Sequence, residues 1–513
     1  MSRFILKSAA IMGIATFLSR ILGFVRDMAI AYFLGAGIKS DAFFVAFRIP
    51  NLLRRLFGEG SLTISFIPVF TKYRIEKGED EANLIASISF SILILILLII
   101  TAAGIIFSPV IIKIIAPGFS KNPEKFTLAV NLNKIMFSYI FFISLVALCM
   151  GILNSLKHFF APSIAPVLLN ISMISACIIG YIFKGEIVYF LAWGVFVGGI
   201  LQLLLQIIFL KKFNLKIYPC FNIKHPAIRE IIYLMAPSIL GLAVTQIQIF
   251  FNTLLASFLE SGSISYLYYA DRLIQFPLGV FAVSIGNAVL PLISEHRTKN
   301  EYNKIKSSYI FSIKLIFFIS IPAMVGLIFA GKLIISVLFQ RGLFNEFTLL
   351  NVYKALSAYA LGLWAYAGIR VLTPVFYAYE DTKTPVKIAF LALIINIISS
   401  LILMRFFSFT GLALATFISS SFNFLMLCYF IRTHIDIDYQ NEIKYIFKVF
   451  ISSIVMGVII YTILHNFSFA NLKFLFKSIY LSGVLAIAVI VYFVMCYIFK
   501  IEEIKFITRK ILK

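Results

Sequence analysis

The chain has 513 residues, of which 61% are hydrophobic and 13% charged, and its mean hydropathy is +1.00. This composition excludes an ordinary water-soluble protein and is typical of a protein embedded in a membrane. The formal net charge of +23 does not require nucleic acid as a partner, because basic loops beside a membrane face anionic lipid headgroups. We therefore expect no nucleic-acid binding.

Apolar segments follow one another along the chain, separated by polar breaks or by breaks containing proline and glycine. Runs such as SISFSILILILLIITAAGIIF and LSGVLAIAVIVYFVMCYIF are about 20 residues long, enough for a helix to cross a hydrocarbon core of about 30 Å. The segments fall near 6–34, 41–71, 84–116, 131–156, 160–183, 187–210, 230–259, 264–294, 308–338, 348–378, 385–404, 410–431, 446–465 and 476–499. The sequence therefore predicts an all-α polytopic membrane protein with about 14 transmembrane helices.

The loops predicted on one side of the membrane carry most of the lysines and arginines. By the positive-inside rule, this bias predicts that both the N-terminus and the C-terminus are cytoplasmic. The five cysteines are far apart and the five histidines show no spacing typical of paired metal ligands. We therefore predict no disulfide framework, no metal centre and no cofactor.

Two pairs of similar stretches, about 225 residues apart, indicate an internal duplication. The stretch AYFLGAGIKSDAFFVAFRIP, from Ala31, is similar to ASFLESGSISYLYYADRLIQFP, from Ala256. A second pair shares a proline at the start of a helix and an asparagine inside it, Asn170 and Asn396. Duplicated halves are common in transporters, so we predict two pseudo-symmetric six-helix lobes around a central cavity. The predicted divisions are an N-lobe with helices 1–6 at residues 1–215, a C-lobe with helices 7–12 at 216–435, and helices 13–14 with a basic tail at 436–513.

Charged side chains are concentrated in the first two predicted helices. A charged side chain facing lipid at the bilayer centre costs about 2.5–3.5 kcal/mol on insertion scales, so these groups must face protein or a water-filled cavity. The arginines outnumber the acids, and an arginine fork binds two phosphate oxygens at once. The sequence therefore favours a polyanionic substrate. The seven residues are Arg20, Arg26, Asp27, Arg48, Arg54, Arg55 and Glu59.

The stretches SRILGFVRD, SDAFFVAFRIPNLLRRLFGEG, YYADRLIQFPLGV and DTKTPVKIA resemble signatures of the MurJ/MviN-type lipid II flippases of bacteria. The likeness extends over essentially the whole chain. It implies the fold of the multidrug/oligosaccharidyl-lipid/polysaccharide exporter superfamily and a location in the bacterial cytoplasmic (inner) membrane. It also implies transport of lipid II, an undecaprenyl-pyrophosphate-linked disaccharide-pentapeptide, to the periplasmic leaflet for peptidoglycan biosynthesis.

The resemblance implies further details of this transport. Alternating access of the two lobes would expose the headgroup on either side, while helices 13 and 14 line a groove for the lipid tail. The implied partners are lipid II and membrane phospholipids, and a partnership with the cell-wall synthesis machinery stays open.

The resemblance also implies which residues meet the substrate. The motif arginines expected at the pyrophosphate are Arg26, Arg54 and Arg272. Arg55 is the alternative to Arg54, because the two are adjacent and the sequence does not show which one faces the cavity. The other expected substrate-site positions are Arg20, Asp27, Asp41, Glu59 and Ser265.

At two places the sequence departs from the family pattern, which limits what the resemblance implies for this chain. Gln275 stands where relatives often have glutamate. Some relatives use carboxylates to bind a sodium ion, as the resemblance implies, but the matching residues here are neutral. They are Asn252, Asn396, Ser400 and Thr416. Without carboxylates, this degraded cation site makes transport coupled to sodium a weaker hypothesis. The sequence therefore favours transport driven by the membrane potential.

Three alternatives stay open on the sequence: an exporter of another polyprenyl-linked oligosaccharide, a small-molecule drug exporter of the same superfamily, and a membrane-embedded enzyme. A cationic drug would require unpaired carboxylates rather than an excess of arginine. An enzyme would require a general base or a metal-binding acid, and the candidate acids all neighbour arginines. These acids are Asp27, Asp41, Glu59 and Asp271. A transporter that is not an enzyme is therefore the favoured interpretation.

Overall fold

The structure, a computed structural model, describes residues 2–53, 62–213, 215–437, 439–467, 472–501 and 503. All regular secondary structure in these residues is helical, which confirms the all-α prediction. Nine segments of the described chain, each formed by one helix or by consecutive helices, are long and apolar enough to cross a membrane, and a bent pair of helices would form a tenth span. Large apolar side chains such as Leu98, Ile99 and Ile490 expose more than half of their surface, as expected where lipid is the solvent.

The chain divides into two compact units. The first comprises Met1–Ser265 with Arg341–Phe344, and the second comprises Tyr266–Gln340 with Asn345–Lys513. The helices of the first unit are α1 (Ser2–Leu34), α2 (Ile38–Leu53), α3 (Leu62–Lys77), α4 (Glu79–Ile106), α5 (Ser108–Ile115), α6 (Pro123–Phe137), α7 (Tyr139–Ser155), α8 (Phe160–Ile182), α9 (Ile187–Lys212) and α10 (Pro226–Ala256).

The second unit contains the remaining helices, of which α11 has its first turn in the first unit. They are α11 (Ser263–Pro277), α12 (Val283–Thr298), α13 (Tyr302–Leu338), α14 (Glu346–Ala360), α15 (Leu363–Ala378), α16 (Lys383–Phe430), α17 (Gln440–Asn466) and α18 (Phe474–Ile498). Each of the fourteen predicted segments coincides with one of these helices, with half of one, or with a consecutive pair. The number that crosses the membrane stays a prediction.

Asparagine and proline residues explain where several helices begin. The first N–H groups of a helix have no partner within it, and an asparagine side chain before the helix accepts from one of them. The Asn122 side chain accepts from the N–H of Lys125 at 3.1 Å at the start of α6, and Asn345 accepts from Thr348 at 2.9 Å at the start of α14. The helix α10 begins at Pro226. Proline lacks an N–H group, which costs nothing here because the first N–H groups of a helix have no partner within it.

The long helix α16 is two antiparallel helices joined at Ser408. At about 1.5 Å per residue, 48 residues in a straight helix would extend far beyond a hydrocarbon core of about 30 Å. Ser408 has φ 50° and ψ −134°, which interrupts the helix. The side-chain amide of Asn396 donates to the Ser419 hydroxyl at 3.3 Å, which is feasible only if the chain reverses between them. The two predicted segments near 385–404 and 410–431 are therefore separate helices.

Glycine allows the segment Arg341–Phe344 to pack into the first unit. The N–H of Leu343 donates to the carbonyl oxygen of Tyr32 at 2.9 Å, just before the end of α1. Gly35 and Gly342 both have φ +57°, and a Cβ atom on Gly342 would lie only 2.3 Å from the Tyr32 carbonyl oxygen. Only glycine fits this left-handed backbone and close approach.

The first compact unit includes α10, which the predicted divisions assign to the C-lobe. This helix contacts α3 and α4, and near its N-terminal end Lys72 forms an ion pair with Glu230 at 3.4 Å and His225 forms a hydrogen bond with Glu81 at 3.1 Å. The predicted divisions follow an internal duplication, whereas the compact units follow contacts, so the lobe boundaries stay a prediction.

Candidate functional site

Arg26 and Asp27 form a buried ion pair on α1. The Nη2 and Nε atoms of Arg26 donate to the same carboxylate oxygen of Asp27, at 2.7 and 3.1 Å. The two residues expose only 8% and 2% of their surface. On its other side the guanidinium donates from Nη1 to the Oδ1 atom of Asn170, on α8, at 3.1 Å. The prediction that this charge faces protein or a cavity rather than lipid is thus confirmed for Arg26.

Asp41 and Ser265, both predicted as substrate-site residues, are hydrogen-bonded to each other. Asp41 lies in the first turn of α2 and is fully buried. Its Oδ1 atom accepts from the N–H of Ser265 at 2.9 Å and from the Ser265 hydroxyl at 2.6 Å. Its Oδ2 atom accepts from the N–H of Gly262 at 2.7 Å. The carboxylate therefore caps the first turn of α11 from a different helix, a role usually taken by a residue next in sequence.

Lys125 completes this cluster and is absent from the sequence-based set of site residues. Its ammonium donates to the Oδ2 atom of Asp41 at 2.7 Å and lies 4.4 Å from the centre of the Phe119 ring. Lys125 is 4% exposed, and buried lysines are rare unless they are paired. No pattern in the sequence indicates a role for Lys125, because it lies before the apolar segment predicted to start at 131.

Arg272 lies on α11 and is held by an aromatic side chain. Its Nη2 atom donates to the Tyr268 hydroxyl at 2.8 Å, and its guanidinium carbon is 4.9 Å from the centre of the same ring. The neighbouring Asp271 is exposed and accepts from Gln275 at 3.3 Å. Residues four apart face each other on a helix, so Tyr268 orients the guanidinium of Arg272.

Of the remaining arginines predicted at the substrate site, Arg20 lies within the described residues. Arg20 is exposed on α1. Arg54, Arg55 and Glu59 lie outside the described residues, so the choice between Arg54 and Arg55 stays open.

The degraded cation site stays a prediction: of its four expected residues, Asn252 belongs to the first unit and the others belong to the second. Asn396 and Ser400 are fully buried on one face of α16, and the Asn396 Oδ1 and Ser400 Oγ atoms have no hydrogen-bond partner within the described structure. Thr416 donates to the carbonyl oxygen of Leu412 at 3.0 Å. Neutral oxygens bind a hard cation more weakly than carboxylates do, and the described residues hold no cluster of three or more His, Cys, Asp or Glu side chains suited to a metal.

Known proteins similar to this chain include lipid II flippases. Residues 30–482 match the family model of the lipid II flippase MurJ. The chain is 38% identical over 473 residues to the "Probable lipid II flippase MurJ" of Buchnera aphidicola subsp. Acyrthosiphon pisum, covering 91% of this chain and 92% of that protein.

Solved structures agree with this match. A structure described as "Lipid II flippase MurJ, inward closed conformation" superposes with a TM-score of 0.80 at 31% identity, covering 95% of this chain and 98% of that one. An inward-facing MATE family transporter of the MOP superfamily gives a TM-score of 0.65 at 14% identity, covering 81% of this chain and 95% of its own, which shows a common fold alone. The matched family consists of transporters rather than enzymes. This chain therefore belongs to the MurJ family of lipid II flippases.

Proposed function

We propose that this chain moves lipid II from the cytoplasmic to the periplasmic leaflet of the bacterial inner membrane by alternating access. The observation that carries the proposal is the match of residues 30–482 to the lipid II flippase family. The buried guanidinium of Arg26 within an apolar helix supports it, because a costly intramembrane charge is typical of a substrate pathway.

The pyrophosphate of the substrate is bound by arginines in this proposal. Arg26, Arg272 and one of the adjacent pair Arg54 and Arg55 supply guanidinium forks that match phosphate oxygens. Asp27 and Tyr268 hold two of these guanidinium groups in fixed orientations, as their hydrogen bonds of 2.7–2.8 Å indicate. The remaining sequence-predicted positions then act as support for the bound headgroup or for the helices around it: Arg20, Asp41, Glu59 and Ser265.

The polyprenyl chain of the substrate stays in lipid beside residues 436–513 in this proposal. Both α17 and α18 lie in this part of the chain, and α18 exposes apolar side chains such as Val489 and Val494, 53% and 52% exposed. Phospholipids cover the same surfaces. Both termini are proposed to be cytoplasmic, which the excess of basic residues in the corresponding loops supports. Cell-wall synthesis enzymes are further candidate partners.

The test is complementation in bacteria depleted of their own lipid II flippase, together with the amount of labelled lipid II that reaches the outer leaflet. The wild-type chain is expected to restore growth, whereas Arg26→Ala and Arg272→Ala are each expected to abolish it, as is the alanine substitution of one of the pair Arg54 and Arg55. Arg74→Ala is the matched control, because Arg74 forms a surface ion pair with Glu79 at 2.6 Å, and such pairs contribute little. Accumulation of lipid II in the inner leaflet despite normal insertion of the wild-type chain would overturn the proposal.

A further inference from the structure

The amide of Asn170 connects α8 to two points on α1. Its Oδ1 atom accepts from Arg26 at 3.1 Å, and its Nδ2 atom donates to the carbonyl oxygen of Ser19 at 3.1 Å. Ser19 and Arg26 are seven residues apart and therefore lie on the same face of α1. Asn170 itself is only 5% exposed. A buried amide thus links the guanidinium to the backbone of its own helix two turns earlier.

Gly23 lies between these two contacts on the same face of α1. A Cβ atom at Gly23 would be 3.6 Å from Nδ2 and 3.9 Å from Oδ1 of Asn170, so the amide lies directly against this glycine. The close packing of α1 on α8 therefore fixes the position of the amide as well as its hydrogen bonds.

The chemistry of the two partners fixes the orientation of the amide. A guanidinium only donates and a backbone carbonyl only accepts, so the oxygen of Asn170 must face Arg26 and the nitrogen must face Ser19. Asparagine also adds no charge. An aspartate in the same position would lose the donor to Ser19 and would add a second carboxylate beside Arg26, which already contacts Asp27.

We infer that Asn170 is a positioning residue that orients Arg26 toward the pyrophosphate of the substrate without adding a second negative charge beside the guanidinium, which already pairs with Asp27. Asp27 holds the Nε and Nη2 side of the guanidinium, and Asn170 holds the Nη1 side. An arginine side chain has many rotamers, so restraining it on both sides lowers the entropy lost when the phosphate binds. This inference rests on the proposed function.

The test is the affinity of the purified full-length chain for lipid II in detergent or nanodiscs, measured for Asn170→Ala, Arg26→Ala and the double variant. We expect Asn170→Ala to raise Kd about tenfold, and the double variant to bind no more weakly than Arg26→Ala alone, because Asn170 acts through Arg26. Asn170→Asp is expected to bind more weakly than Asn170→Ala, since it adds negative charge. A purely structural role predicts the reverse order, because aspartate keeps the shape and a hydrogen bond to Arg26.

Ser172→Ala is the matched control. Ser172 lies two residues away on α8 and donates to the carbonyl oxygen of Gly194, so its loss tests helix packing without touching Arg26. Its Kd should equal that of the wild type. Unchanged affinity of Asn170→Ala with weakened affinity of Arg26→Ala would overturn this inference alone, as would additive losses in the double variant. Failure of the wild-type chain to bind lipid II would overturn the proposed function and this inference with it.

Discussion

The ammonium of Lys125 lies 2.7 Å from the carboxylate of Asp41, and the side chains of the two residues are 5% and 1% exposed. Two charges removed from solvent in this way stabilise a fold only while both are present, because either alone is a buried charge without compensation. Asp41 also accepts from Gly262 and Ser265. Asp41 therefore joins the start of α2 both to α6, through the ion pair with Lys125, and to the first turn of α11, through these hydrogen bonds.

Replacing Lys125 with methionine should strongly destabilise the protein. The substitution keeps the length of the side chain but leaves Asp41 as an uncompensated charge, so we expect a loss of about 3–5 kcal/mol in the free energy of unfolding. The measurement is the free energy of unfolding of the purified protein in detergent. Lys121→Met is the control, because Lys121 is exposed on the same segment, and its effect should stay within about 0.5 kcal/mol. The double variant Asp41→Asn with Lys125→Met should recover part of the loss, and equal effects of the two lysine substitutions would contradict the prediction.

Replacing arginine with lysine at the proposed pyrophosphate site should impair transport while preserving the charge. Arg272 stacks on Tyr268 and also donates to its hydroxyl, a combination that the point charge of lysine cannot reproduce. We expect Arg26→Lys and Arg272→Lys to reduce the labelled lipid II that reaches the outer leaflet on the order of tenfold at matched expression, about 1.4 kcal/mol. Arg74→Lys, at the surface, should have no effect. Near-normal transport by both site variants would mean that positive charge alone suffices.

Transport should continue without sodium and should depend on the membrane potential. The residues that the sequence resemblance places at a sodium site are neutral in this chain, and Asn396 and Ser400 are buried without a carboxylate hydrogen bond in the described structure. We expect unchanged lipid II translocation when sodium is replaced with potassium or choline, and a severalfold loss when the potential is collapsed. The measurement is translocation in cells or vesicles with the potential clamped. Dependence on sodium at constant potential would contradict it.

Replacing Lys184 with glycine should stabilise the protein. Lys184 follows α8 with φ 50°, and the N–H of Gly185 donates to the carbonyl oxygen of Gly180 at 3.0 Å, the pattern of a helix end that favours glycine in the left-handed conformation. Glycine relieves the strain of the left-handed backbone at this position, but it also increases the conformational entropy of the unfolded chain. The net effect should be a rise of about 0.5–1 kcal/mol in the free energy of unfolding.

Replacing a lysine inside a helix with glycine should instead lower the free energy of unfolding. Lys444 is exposed on α17, where glycine should cost about 1 kcal/mol relative to a good helix former. Thermal unfolding of the two variants in the same detergent compares them. A decrease in stability for Lys184→Gly would show that the conformation of Lys184 is not strained.

The apolar segments and the family were predictable from the sequence because both depend on local patterns. A helix that crosses lipid must satisfy its backbone hydrogen bonds internally and present about 20 apolar residues, so each segment is visible in isolation. Even the reversal at Ser408 was indicated, since the apolar pattern breaks between 404 and 410. The charges of α1 likewise predicted that Arg26 avoids lipid, because the cost of exposing it is a property of one side chain.

The partners of those charges were decided by the tertiary structure alone. Asn170 is 144 residues from Arg26, and Lys125 is 84 residues from Asp41, so no spacing in the sequence connects them. An asparagine in an apolar segment or a lysine before one fits many environments, and burial selects among them only when packed helices bring a matching donor and acceptor together. The sequence by itself determined which residues needed a partner in the membrane. Only the packing of distant helices determined which partner each one received, because hydrogen bonds form between groups that are close in space.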